Sequence, residues 1–288
     1  FITIYSIDSF ETINYSVIVY SVIAILILFF VGLAVALIFV KDKLKKGPVM
    51  QTVFRANYAI IGIPLAQAIG GDDALVVVAL VSAVAVPLIN VLAVISLSLF
   101  VRNEDENIHP FKSTIIKIAK NPLILSILLG LVVLWIRSFI PLDAVSGEPV
   151  FTIENNLTFL YTGLYWIRNM ASPLALIILG GTFEFLVIKD MLKEIFTGTF
   201  TRLIIAPLIT LTLAVYLSNN TEFFNFTAVE YPALISLIAS PTAISGAIMA
   251  KEMKNDAKLA VQFVVWTTTM SILTIFVIVF IMRSMGLL

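Results

Sequence analysis

Apolar residues fall in long runs with short polar breaks between them, and several runs reach the roughly 20 residues needed to cross a hydrocarbon core of about 30 Å. Read against the breaks, the pattern predicts transmembrane helices at 15–40, 50–69, 74–101, 122–141, 167–185, 200–217, 231–250 and 259–282. The fifth follows a semi-polar stretch, NNLTFLYTGLYW, whose Tyr161, Tyr165 and Trp166 suit the membrane interface. The fold class expected is therefore an all-α integral membrane protein of about eight spans.

Composition agrees. Hydrophobic residues make up 60% of the 288-residue chain and charged residues only 12%, against about half apolar, glycine included, in a soluble domain. With no net charge, no basic surface points to nucleic acid. The absence of cysteine excludes disulfides, thiolate catalysis and cysteine-based metal sites. The single histidine, His109, lies in the polar stretch NEDENIHP and reads as a loop residue. No nucleophile–base pair or metal cluster suggests an enzyme, and no cofactor is expected.

Basic residues set the expected orientation. Of 18 lysines and arginines, fifteen fall in loops on one side, Arg55 and Arg202 counted among them. The other side holds Arg137, Arg168 and Arg283 and nine of the 18 acidic residues. The positive-inside rule makes the lysine-rich side cytoplasmic, so both ends of this chain face out from a plasma or inner membrane. The chain opens at Phe1 on a polar stretch without a signal-peptide pattern. A truncated record is the expectation.

Two spans break the rule that backbone at membrane depth stays helical unless it is buried or lines a cavity. In 50–69, the stretch RANYAIIGIPLAQAIGG carries Gly62 and Pro64; in 231–250, ALISLIASPTAISGAIMAKE carries Ser240, Pro241, Thr242, Ser245 and Gly246. A mid-helix proline lacks the N–H donor and clashes with the carbonyl four residues back. Each span precedes a short charged turn and one long final helix, and four spans between them make their directions opposite. Opposed discontinuous helices at matching places in two halves point to an inverted-repeat transporter with its site at the midplane.

These residues resemble the auxin efflux carrier family, which includes plant auxin exporters and bacterial dicarboxylate permeases. Asn57, Gly62 and Pro64 match its Asn…Gly-x-Pro helix, and Pro241 with Ala250-Lys251-Glu252 matches a later one; ASPLALIILGG and TRLIIAPL look like the helices before it. The resemblance implies ten helices in two inverted five-helix repeats, a fold like that of bile acid symporters and sodium–proton antiporters, with the first two helices missing here. On that basis 1–101 is the remainder of the first repeat, 102–121 a cytoplasmic loop and 122–288 the second repeat. The short loop favours a prokaryotic-type, malate- or malonate-permease-like member, and the resemblance allows a homodimer.

The function expected is a secondary transporter of small organic anions, carboxylates such as malate, malonate or auxin-like acids, working by elevator-type alternating access across the lipid bilayer. The alternative is a sodium-coupled organic anion symporter of the bile acid transporter type. Candidate substrate-binding or crossover residues are Asn57, Gly62, Pro64, Gln67, Asn90, Ser240, Pro241, Thr242 and Ser245. With no charged residue assigned to a span centre, the expectation is that helix dipoles and amide or hydroxyl groups, not a buried cation, hold the anion. Potential-driven uniport fits best, with proton coupling through Glu184 or Glu252 second.

Overall fold

The computed structural model describes residues 15–101, 150–181 and 188–288, with scattered positions between 125 and 141. Every regular element among them is helical. The expected span at 122–141, the loop at 102–121 and Glu184 lie outside the described residues or nearly so.

Helix α1, Tyr15–Phe39, is apolar on all sides, and at 1.5 Å per residue its 25 residues extend about 38 Å, enough to cross a bilayer with some tilt. Asp42 caps α2, Lys43–Phe54, by accepting the Leu44 N–H at 2.9 Å. After Phe54 the helix stops. A wide π turn, Tyr58–Gly62, leads into α3, Ile63–Ser98. Gly71, at φ +71°, interrupts α3 and divides the end of the broken span from the next long helix; a residue with a Cβ is strained there.

Helix α4 is Thr158–Gly181, so the semi-polar stretch assigned to the interface is helical. Helices α5, Ile188–Phe200, and α6, Ala206–Asn220, join through a second π turn, Thr201–Ile205, into one 33-residue rod. That rod begins twelve residues before the expected 200–217 span, and it carries Lys189 and Lys193, expected in a loop. Then come α7, Glu230–Ala239, a break, α8, Ser245–Glu252, and the long α9, Ala257–Ser284.

Both π turns precede a proline, Pro64 and Pro207, at the second position of the helix that follows. The proline ring pushes away the carbonyl four residues back and offers it no N–H. A five-residue loop relieves the clash, which is how a single π turn arises inside a helix.

Among the described residues, four helical stretches are long and apolar enough to span a membrane by length and composition: Tyr15–Phe39, Tyr58–Ser98, Ile188–Asn220 and Ala257–Ser284. Their outward faces carry side chains such as Phe30, Ile38, Ile272 and Phe276, each more than half exposed. A continuous apolar surface of this kind belongs in lipid. The core lies between α1, α2, α3, α7 and α9. Its buried Ser21, Thr52, Thr210 and Thr267 each donate to the carbonyl four residues back, which satisfies a hydroxyl without water.

The two broken segments run in opposite directions. At one end Asn255 Nδ2 donates to the Leu97 carbonyl at 2.9 Å, and the Asp256 N–H to that of Leu44 at 3.0 Å. At the other end Gly70 lies against Pro232, whose Cγ would be 2.7 Å from a Cβ on the glycine. The start of α2 thus meets the end of α8, and the far end of the first segment meets the start of α7.

Candidate functional site

Between these two ends the breaks cross. The Asn57 N–H donates to the Pro241 carbonyl at 2.8 Å, the Ala243 N–H to the Arg55 carbonyl at 3.0 Å, and Ala56 and Thr242 form an antiparallel bridge. Two half-helices end here and two begin. Backbone groups freed by the breaks find partners in each other, as they must where no water reaches.

In the second segment the break falls where the sequence predicts it. Ser240, Pro241 and Thr242 form it, and Ser245 opens α8. Thr242 is held from both sides: its N–H donates to Thr267 Oγ1 at 3.1 Å, and its hydroxyl to the Arg55 carbonyl at 3.2 Å. The Ser240 hydroxyl turns back onto the Ser236 carbonyl.

In the first segment the break is not at Gly62 or Pro64 but at Arg55–Asn57, before both. Gly62 serves close approach: a Cβ there would lie 2.7 Å from the Tyr58 ring and 3.2 Å from the Ser236 carbonyl oxygen. Pro64 shapes the π turn and is exposed. Gln67 is not brought to the crossing. It is exposed, donates to Asp72 Oδ1 at 3.2 Å, and lies ten residues, about 15 Å of helix, beyond Asn57.

The largest correction concerns charge. Arg55 and Arg202, assigned to loops from the sequence, are 1% and 0% exposed at the crossing itself. Without these two, the side expected to be cytoplasmic keeps thirteen basic residues against three. The expectation of no buried cation is overturned.

Arg202 sits on the π turn between α5 and α6 and faces the two half-helices that end here. Its Nε and Nη2 donate to the Ser240 carbonyl at 2.9 and 2.6 Å, Nη2 also to that of Leu237 at 3.3 Å, and Nη1 to that of Val53 at 2.9 Å. Each helix C-terminus carries about half a negative charge. The guanidinium therefore caps α2 and α7 together and is matched by about one unit.

Arg55 has a different setting. Its Nη1 reaches Gln51 Oε1 at 3.3 Å and the Met249 sulfur at 2.8 Å; Nη2 reaches Asn90 Oδ1 and Ser245 Oγ, both at 3.0 Å. All four partners are neutral. Among the described residues the one ion pair is Lys45–Glu194, at 3.3 Å. Arg55 thus gathers Asn90 and Ser245, two predicted site residues, at the positive end of α8. Ser245 is exposed and Asn90 half-buried, so the cluster opens to the surface. Asn57, 4% exposed, leaves its side-chain Nδ2 without an acceptor. Among the described residues the crossing therefore offers a cation and an amide donor and no acid, an arrangement suited to a small anion.

The signal for both arginines was available: each interrupts an apolar run, in VFRANY and FTRLII, and ionisable residues within spans mark functional sites. Their places near the ends of the predicted spans let them read as loop charges.

A family described as membrane transport protein matches residues 13–279, nearly the whole chain. The chain belongs to this family. Its members are auxin efflux carrier-type membrane transporters, in agreement with the resemblance seen in the motifs, so this member is a multi-pass membrane protein of transport type. Compared with the curated proteins, the chain matches none.

Proposed function

We propose that the protein is a secondary transporter of small organic anions, carboxylates in particular, that works by alternating access across the membrane. The observation that carries this reading is the antiparallel pairing of the two helix breaks, with Ala56 bridged to Thr242. A membrane protein gives up helical hydrogen bonds at mid-depth where it needs a polar cavity. The anionic choice is supported by Arg55, with neutral partners on every side, and by the open Asn57 Nδ2.

The two broken segments have the same order of parts: half-helix, break, half-helix, turn, long helix. This supports two inverted repeats whose crossed helices move together against the remaining helices, as an elevator. On this reading the basic end of α2 and α8 faces the cytoplasm and the acidic turn at Asp72 and Asp73 faces out.

The test is counterflow of labelled malate, malonate and an aromatic monocarboxylate in proteoliposomes holding the full-length protein. Exchange of at least one is expected. The substitution Asn57→Asp keeps side-chain shape while adding a negative charge beside the site, and it should lower exchange by about tenfold or more, since like charges repel strongly where dielectric is low. No exchange of any of the three by folded protein would overturn the reading.

A further inference from the structure

We infer that Arg55 is the counter-ion of the carried carboxylate, and that its charge makes the protein a monocarboxylate exchanger whose net flow is limited by return of the unloaded carrier. The inference rests on the reading of the crossing as a carboxylate site and adds how charge moves through the cycle.

The two buried arginines differ in what balances them. Arg202 faces three backbone carbonyls at the ends of two half-helices, which together supply about one negative charge. Arg55 faces Gln51, Asn90, Ser245 and Met249, none of which carries charge. It also lies where α8 begins at Ser245, and a helix N-terminus adds positive potential. One guanidinium matches one carboxylate. A carrier loaded with a monocarboxylate then crosses the membrane as a neutral body, while the unloaded carrier crosses with an unmatched positive charge.

An unpaired arginine at the centre of a span is disfavoured by a factor of about a hundred on insertion scales. The unloaded crossing should therefore be slower than the loaded one by about tenfold or more, the discount allowing for water near exposed Ser245. Exchange uses the loaded crossing in both directions. Net flow needs one unloaded crossing per turnover. Voltage separates the two again: a single charge crossing the whole field changes its equilibrium by up to about fifty-fold per 100 mV. Exchange of a monoanion should ignore the potential. Net export should speed up when the inside is negative, because the positive carrier returns inward.

The experiment compares counterflow with net efflux of a labelled aromatic monocarboxylate, from full-length protein in proteoliposomes clamped at zero and at about 100 mV inside negative, with malonate run in parallel. Exchange at least about tenfold faster than net efflux, with only net efflux sensitive to voltage, is the expected result. Arg55→Gln should raise KM and bring the two rates within about twofold of each other, whereas Arg55→Lys, which keeps the charge, should preserve the gap. Equal rates in the unaltered protein, voltage-sensitive exchange, or exchange of malonate alone would overturn the inference and leave the transport reading standing. No exchange of either compound would remove both.

Discussion

The two buried arginines should separate cleanly in a stability experiment. Replacing Arg202 with Met keeps side-chain bulk but leaves the carbonyls of Val53, Leu237 and Ser240 against a thioether. Each unsatisfied buried carbonyl costs about 1–3 kcal/mol. Against the sum stands the desolvation penalty of a guanidinium, several kcal/mol, which the variant no longer bears. Breaking one partner from a buried charged network usually costs about 3–5 kcal/mol net. At roughly 2–4 °C per kcal/mol for a chain of this order of size, the Tm should fall by about 10 °C. Arg55→Met removes a charge that only neutral side chains face, and these side chains can bond one another or water at exposed Ser245. Its Tm should stay within a few degrees or rise, while the KM for transport rises. Thermal unfolding in detergent, followed by fluorescence of the three tryptophans, reads both. Equal losses in the two variants, or an Arg202→Met protein as stable as the original, would refute the assignment of one arginine to structure and the other to the carried anion.

Gly62→Ala should destabilise by about 1–3 kcal/mol, because the new methyl meets the Tyr58 ring at 2.7 Å and the Ser236 carbonyl at 3.2 Å. A melting curve that does not move would mean that Tyr58 swings clear. Lys254 occupies the left-handed region at φ 57° in the turn between α8 and α9, which costs a residue with a Cβ about 1–2 kcal/mol. Lys254→Gly should therefore raise the Tm by about 2–4 °C and leave exchange unchanged, as the turn lies at the end of the segment, away from the crossing.

Much of this arrangement was legible in the residues, for identifiable reasons. The first span, expected at 15–40, is the helix Tyr15–Phe39, because an uninterrupted apolar run has one solution in lipid. The break in the seventh span was found because Pro241 lies in it. In the second, Pro64 points to a break at Gly62–Pro64, but it widens the helix and does not end it. What ends α2 is Arg55–Asn57, and nothing in helix propensity singles these residues out. Their backbone leaves the helix because Pro241 and Ala243 of a distant segment pair with it, a tertiary effect that no local window contains. Gln67 was proposed for being polar in an apolar run, and position along the helix excluded it.

The pairing of the freed backbone groups supports an anion at the crossing. Each break leaves N–H and carbonyl groups that a continuous helix would pair, and in a membrane interior each must find a partner. The carbonyls of Val53, Leu237 and Ser240 go to Arg202; those of Arg55 and Pro241 go to Ala243 and Asn57; that of Gly246 takes Gln51 Nε2 at 2.9 Å. The Thr242 N–H goes to Thr267. These acceptors are therefore taken. On the donor side, the Asn57 amide is open, and Arg55 is bonded yet uncompensated in charge. Structural repair of two broken helices calls for neither a spare donor nor an unmatched cation. The proposed carboxylate would supply acceptor oxygens for the amide and one negative charge for Arg55.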